Sequence, residues 1–182
     1  DGVTEYTINT DTAVVVSGAG SDIPLTISGG STVTLTEDLV LINLQGVFTV
    51  PALQLSGSTT KSVRGPGTLT AIGAANNTYS YGITCVNSTD LSVDGAKVIA
   101  IGGTASEKSN GIKNVNVTVE SSGSITAIGG AAATSYGIES KTTVNSGTLN
   151  AIGGAASGGS YGISGTTTVN GGTLNAIGGK AS

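Results

Sequence analysis

The sequence predicts an all-β fold, a right-handed single-stranded parallel β-helix of about six coils with three short strands in each coil. Two observations lead to this prediction. Three short motifs recur in a fixed order along the chain, and none of them has the spacing of apolar side chains that marks a helix. Short strands repeated at an interval of ~25 residues can stack coil upon coil, with neighbouring strands ~4.8 Å apart.

The three motifs define the repeat. The first reads "GTLTAIG" or a close variant, and it occupies residues 67–73, 97–103, 123–130, 147–154 and 172–179. The second reads "SYGI" or "SNGI", at 80–83, 109–112, 135–138 and 160–163. The third resembles "TTVN", at 91–95, 117–122, 142–146 and 167–171. The copies become more alike, and more closely spaced, toward the C-terminal end.

Composition predicts a narrow core. The chain of 182 residues contains 30 glycines, only 3% aromatic residues, and neither methionine nor tryptophan. Large side chains therefore cannot fill a wide interior, and small aliphatic and β-branched residues must do so. A hydrophobic content of 37% is sufficient for such a core.

Charge and hydropathy exclude several classes of partner. Seven Lys and Arg residues stand against eleven Asp and Glu, and no basic run occurs, so the sequence predicts no nucleic-acid binding. No run approaches the ~18 apolar residues of a membrane span, so it predicts no membrane insertion. Cys85 is the only cysteine, which excludes an internal disulfide and a cysteine-based zinc site.

Alternation along the strands sorts inward from outward side chains. In the first motif we expect two inward columns, formed by Leu69, Val98, Ile125, Leu149 and Leu174, and by Ala71, Ala100, Ala127, Ala151 and Ala176. A third inward column comes from the second motif and contains Ile83, Ile112, Ile138 and Ile163, joined by Cys85 as a small buried filler.

Two regions are predicted from the extent of the repeat. Residues 1–50 keep strand character without the repeat, and we expect them to form N-terminal capping strands and the first coil. Residues 51–182 form the regular coils, and the sequence stops in the middle of a repeat. This chain is therefore expected to be part of a larger protein.

The order of the motifs resembles a known kind of sequence. "PLTISGGSTVTLTEDLVLINL", then "PALQLSG", then "GPGTLTAIG" and iterated "YGI…TTVN.GTLNAIGG" look like repeat regions of large secreted or wall-attached, adhesin-like proteins of anaerobic Gram-positive and other gut bacteria. The order is similar, more loosely, to a clostridial carbohydrate-binding β-helix family. This resemblance implies an extracellular or cell-surface module, adhesin-like and structural, within a larger bacterial surface protein. It also implies polysaccharide or a host or cell-surface glycan as the partner.

One departure from the second family concerns metal. Coils of that family carry acidic residues that suit calcium, whereas the equivalent turns here hold Ser, Thr, Asn and Gly. We therefore predict no metal site.

A tyrosine column is the first candidate binding feature. Tyr81, Tyr136 and Tyr161 occupy one position of the repeat, with Tyr79 close by and Asn110 as the exception. Aromatic rings aligned along a rod can lie flat against sugar rings. The alternative, which we prefer, follows from the two-residue spacing of Tyr and Ile in "YGI", which places them on one face. The tyrosines would then form a semi-buried stack at a corner with their hydroxyls at the surface.

Outward threonine and asparagine side chains are the second candidate. Thr148, Asn150, Thr173 and Asn175 are expected on one flat face, where they can hydrogen-bond a polysaccharide or simply face solvent as good strand residues. Regular Thr-x-Thr rows also occur in ice-binding solenoids, but Lys97 and Ile99 interrupt such a row here.

Catalysis is the third alternative, as a β-helix polysaccharide-degrading enzyme, and the residues argue against it. Glycoside hydrolysis requires two facing carboxylates, whereas the acidic residues are scattered, and the adjacent Glu37 and Asp38 would face opposite ways on a strand. The absence of histidine excludes Ser-His and Cys-His nucleophiles. We therefore predict no catalytic residues, no cofactor and no enzymatic activity.

Overall fold

A computed structural model describes residues 5–8, 12–16, 23–44, 50–75 and 77–180 of the chain. Within these ranges every regular element is a β-strand. In chain order the strands are β1 (Glu5–Ile8), β2 (Thr12–Val16), β3 (Leu25–Ile27), β4 (Thr32–Leu35), β5 (Leu39–Asn43), β6 (Leu53–Leu55), β7 (Lys61–Arg64), β8 (Thr68–Ile72), β9 (Asn77–Asp94), β10 (Lys97–Ile101), β11 (Ala105–Glu120), β12 (Ser124–Ile128), β13 (Ala132–Glu139), β14 (Thr142–Val144), β15 (Thr148–Ile152), β16 (Ala156–Ile163), β17 (Thr167–Val169) and β18 (Thr173–Ile177).

The strands form two parallel sheets that wind into a solenoid of about six turns. The small sheet has seven strands in the order β18-β15-β12-β10-β8-β5-β2, so each neighbour comes from the next coil along the chain. The large sheet has eleven strands and contains the "YGI" and "TTV" stretches of the last four coils, together with β1, β3, β4, β6 and β7. These two stretches are continuous in β9 and β11 and separate in the last two coils. The predicted parallel β-helix is therefore confirmed.

The predicted inward columns form the core. The strand pairings of the small sheet align similar core residues in neighbouring coils, for example Leu149 beside Leu174 and Ala127 beside Ala151. The leucine, alanine and isoleucine columns are fully buried in the middle coils, with no exposed surface at Leu69, Val98, Ile125, Leu149, Ala71, Ala100, Ala127, Ala151, Ile83, Ile112 and Ile138. In the last coil, Leu174 and Ile163 are partly buried against this core and Ala176 is exposed. Cys85 is buried in the core, and its thiol donates to the Asn114 carbonyl oxygen at 2.6 Å.

A column of isoleucines lies on the outer side of the small sheet. Alternation turns the residue after the inner alanine column, or after Leu41 in β5, outward. The register aligns these residues from coil to coil as Ile42, Ile72, Ile101, Ile128, Ile152 and Ile177. All but the last are partly buried, whereas Ile177 is exposed. This column was not predicted from the sequence.

Serines of the "SYGI" motif connect one coil to the next. The Ser109 hydroxyl donates to the Gly103 carbonyl oxygen at 2.7 Å and accepts from the Gly130 amide at 2.8 Å. Ser80 makes the corresponding pair of bonds one coil earlier, and Ser160 makes it two coils later. Because these serines are buried or partly buried, their bonds satisfy backbone groups that water cannot fully reach at the corner.

Close backbone approach explains the paired glycines at this corner. A Cβ on Gly130 would lie 2.3 Å from the Gly103 carbonyl oxygen of the preceding coil, and a Cβ on Gly154 would lie 2.4 Å from the Gly130 carbonyl oxygen. The coils therefore stack here only because no side chain is present.

Polar ladders run along the axis on the outside of the solenoid. The Asn145 amide donates to Glu120 Oε1 at 2.8 Å, and the Asn170 amide donates to Asn145 Oδ1 at 2.7 Å. The corners beside this ladder contain left-handed residues, Gly95, Gly147 and Gly172, but in one coil the left-handed residue is Ser121, with φ 48°.

The N-terminal strands already pair in the solenoid pattern. β1 pairs with β4, and β2 pairs with β5, in parallel. Residues 1–4, 9–11, 17–22 and 45–49 of the predicted cap, and residues 181–182, lie outside the described residues, so the capping role stays a prediction. The described residues contain no helix long and apolar enough to cross a membrane.

Candidate functional site

An open cleft of about 750 Å³ lies on the outside of the large sheet. It extends across three coils, because its walls come from β9, β11 and the start of β13. We call it the tyrosine–lysine cleft. It is lined by Tyr79, Tyr81, Thr84, Glu107, Lys108, Lys113, Asn114, Ala133 and Thr134. Its volume is in the range of small-molecule sites.

Two tyrosines form one wall of the cleft. Tyr79 and Tyr81 are two residues apart on β9, so both side chains point outward while Ser80 between them is buried. Their ring centroids are 6.4 Å apart, with 23° between the ring planes. Tyr79 is the more accessible of the two, because Tyr81 is only 6% exposed.

Lys113 covers this aromatic pair. Its ammonium donates to the Tyr81 hydroxyl at 2.9 Å and lies 4.6 Å from the Tyr81 ring centroid and 5.9 Å from that of Tyr79. These distances are typical of cation–π contacts. The cleft therefore combines an aromatic surface with a positive charge.

Lys108 is held by an ion pair at the next coil. Its ammonium lies 2.9 Å from Glu139 Oε1 and 5.1 Å from the ring centroid of Tyr136. The second carboxylate oxygen of Glu139 accepts from the Asn110 amide at 2.8 Å. Asn110 is fully buried, and its Oδ1 has no partner among the described atoms, so an acceptor is left unsatisfied beside this pair.

The local environment shifts several pKa values. Burial raises the pKa of Tyr81 to about 12, so its hydroxyl stays protonated at neutral pH. A hydrogen bond to Glu107 raises the pKa of Tyr79. The pKa of Lys108 is raised by its bond to Glu139, whereas burial lowers the pKa of Lys113. The Lys113 ammonium is therefore partly desolvated without a compensating hydrogen bond to a carboxylate.

Irregular strand pairing positions the charged residues of the cleft. The pairing of β9 with β11 shifts between Ala105 and Lys108, beside Glu107, and again between Lys113 and Val115. Asn114, at the second shift, has φ 57°, a left-handed conformation that asparagine tolerates better than most residues. Such irregularities re-aim side chains and occur often beside functional sites.

The predicted tyrosine column is in register but is not one continuous surface. Asn110 pairs with both Tyr81 and Tyr136, and Tyr136 pairs with Tyr161. Tyr136 and Tyr161 stack with ring centroids 5.1 Å apart, and Tyr161 is 48% exposed. The buried Asn110 separates this pair from the cleft, whose lining includes neither ring.

The expectation that Tyr and Ile of "YGI" share a face needs a correction. Ile83 belongs to the core, whereas Tyr81 contacts Lys113 and lines the cleft. The alternation is interrupted at Gly82, where a Cβ would lie 2.6 Å from the Ile101 amide nitrogen of the facing sheet. The tyrosines differ in burial, since Tyr81 is buried, Tyr79 and Tyr136 are partly buried and Tyr161 is exposed.

Thr148, Asn150, Thr173 and Asn175 lie on the small sheet, away from the cleft lining. Thr148 and Asn150 are partly exposed, and Thr173 and Asn175 are exposed. The Asn175 amide donates to Asn150 Oδ1 at 2.8 Å, so these two residues form a second polar ladder between neighbouring coils. The structure therefore does not bring the two predicted groups of binding residues together.

The charged residues in and beside the cleft were not predicted from the sequence. Glu107, Lys108, Lys113 and Glu139 were not singled out, although they interrupt the repeat. In the register, Lys113 stands opposite Thr84 and Glu139, and Lys108 stands opposite Tyr79 and Thr134. In a chain with only seven Lys and Arg residues, charged departures from the repeat are a signal that could have found the site.

The described residues contain no group of three or more His, Cys, Asp and Glu side chains that could hold a metal ion. In comparisons with known proteins, no protein-family model, no curated protein and no solved structure matches this chain.

Proposed function

We propose that this chain is an extracellular, adhesin-like module of a bacterial surface protein that binds carbohydrate in the tyrosine–lysine cleft. The observation that carries the proposal is the stacked Tyr79–Tyr81 pair beside Lys113, in an open cleft of about 750 Å³. An aromatic surface bordered by a few polar groups suits a sugar, which has apolar ring faces and hydroxyl edges.

The surrounding polar groups support the same ligand class. Glu107 and Asn114 offer acceptors, and Lys108 and Lys113 offer donors around the rings. Glu139 is already engaged through both carboxylate oxygens by Lys108 and Asn110. This engagement favours binding without hydrolysis, since a glycosidase needs two available carboxyl groups.

The solenoid itself supports a stalk role in the same protein. Its parallel pairings and its serine and asparagine ladders join each coil to the next along the axis. A rod built in this way holds the cleft on a stiff support, and several such modules would bind a polysaccharide by avidity.

Two matched variants test the cleft. In glycan-array and polysaccharide pull-down measurements, Tyr79→Ala should weaken binding about tenfold or more, since it removes the accessible ring. Tyr161→Ala removes a more exposed ring outside the cleft and should leave binding unchanged. Both proteins should first be shown to fold by circular dichroism.

The outcomes separate the alternatives. Equal losses in the two variants would favour the continuous tyrosine column over the cleft. Binding that survives Tyr79→Ala, or the absence of retention of the unmodified chain on any glycan, would contradict the proposal.

A further inference from the structure

The two lysines of the cleft differ in their partners. Lys108 is neutralised by Glu139, whose other oxygen is held by Asn110. Lys113 has no such partner, since among the described residues no carboxylate lies within ion-pair distance of its ammonium. Its hydrogen bond goes to the neutral hydroxyl of Tyr81.

The surroundings of Lys113 make the lack of a carboxylate partner costly. Its ammonium lies against two aromatic rings, and burial lowers the pKa of Lys113 while the more distant Glu139 only partly compensates. An anion placed against this ammonium would replace lost solvation with a charge-assisted hydrogen bond, which is stronger than a neutral one.

The other carboxylate of the cleft lies at a different position. Glu107 precedes Lys108, whose strand partner is Tyr79, whereas the strand partner of Lys113 is Thr84. Glu107 acts on Tyr79 through a hydrogen bond. Along β11, the acceptor Glu107 and the ion-paired Lys108 therefore lie near Tyr79, whereas Lys113, which has no ion-pair partner among the described residues, lies near Tyr81.

We propose that the ligand is an acidic saccharide, with its carboxylate or sulfate at Lys113, its ring against Tyr79 and its hydroxyls toward Glu107. This inference rests on the proposed function and specifies the ligand class of the same cleft. Uronic acids carry a carboxylate and sulfated sugars carry a sulfate ester. Both supply the required negative charge, and the test distinguishes them.

The test compares each acidic polysaccharide with a neutral counterpart. The probes are polygalacturonate and its carboxyl-reduced form, and a sulfated galactan and its desulfated form. We expect at least one acidic probe to bind about tenfold or more tightly than its neutral counterpart, and the preferred probe identifies the anion. Added salt should weaken that binding, because the contact is ionic.

Charge variants assign the preference to one residue. Lys113→Gln keeps a donor for the Tyr81 hydroxyl and should abolish the preference for the acidic probe, whereas Lys113→Arg should retain it. Lys97→Gln, at an exposed position of the small sheet, is the matched control and should change nothing. If Lys113→Gln does not fold, the preference of the unmodified chain for the acidic probe, and its salt dependence, still decide whether the ligand is acidic.

Failure of this inference and failure of the proposed function look different. Equal binding to acidic and neutral probes, without salt dependence, would overturn the acidic ligand and leave carbohydrate binding intact. An unchanged preference in a folded Lys113→Gln variant would overturn the role of Lys113. No binding to any of the four probes, or to a glycan array, would overturn both.

Discussion

Single buried hydroxyl groups join the coils at the glycine corner. Ser80, Ser109 and Ser160 each donate to and accept from the backbone, as Ser109 does between Gly103 and Gly130. The residue recurs in every "SYGI" copy because a hydroxyl is the smallest side chain with a donor and an acceptor. Alanine fits the same space but leaves both backbone groups without a partner.

We therefore expect Ser109→Ala to lower the free energy of unfolding by about 1–3 kcal/mol, the cost of leaving buried polar groups unpaired. Urea denaturation monitored by circular dichroism measures this change. Ser122→Ala is the control, because Ser122 is exposed, and it should stay within about 0.5 kcal/mol of the unmodified chain. Equal stability of the two variants would contradict the role of the serine bonds.

At the scale of the strand, the sequence predicted the core well and the cleft poorly. Alternation and internal repeats fix the inward columns, because Leu149 and Leu174 occupy equivalent positions of identical motifs. Lys113 reaches Tyr81 across 32 residues of chain. No periodicity predicts that contact, since it depends on the irregular pairing around Asn114 and on the length of one side chain.

Turns between strands offer a second stability test. Ser121 follows the Glu120–Asp94 pairing and takes the corner position that Gly95 takes in the preceding coil, with φ 48° against 75°. A left-handed conformation costs a non-glycine residue about 1 kcal/mol or more. Ser121→Gly removes this strain, although glycine adds entropy to the unfolded chain.

We expect Ser121→Gly to raise the midpoint of thermal unfolding, by an amount equivalent to at most about 1 kcal/mol. Ser122→Gly, at the next residue, has no left-handed conformation to relieve and should lower the midpoint slightly, since glycine is costly where it is not needed. A loss of stability in Ser121→Gly would show that the serine side chain contributes more than the strain removes.

The whole molecule is quasi-one-dimensional, because each coil contacts chiefly the coils before and after it. Local damage should therefore spread along the axis only as far as the neighbouring coils. This expectation distinguishes a stack of coils from a globular core, in which all elements share one interior.

Two equivalent leucines test this behaviour. Leu69→Ala and Leu149→Ala each remove a fully buried side chain from the same column, at a cost of about 2–5 kcal/mol. Hydrogen exchange by mass spectrometry should show lost protection around β5, β8 and β10 in the first variant, and around β12, β15 and β18 in the second. Identical, chain-wide losses in both would show that the solenoid unfolds as a single unit.

The irregular pairing between β9 and β11 separates the number of clefts from the length of the rod. The last coils repeat with nearly identical letters and pair almost without shifts, whereas the cleft forms where unequal coils meet. Duplication of a late coil would lengthen the molecule and create no new cleft. In this architecture, coil duplication can increase the length of the rod while the number of clefts stays constant, so the two properties can change independently.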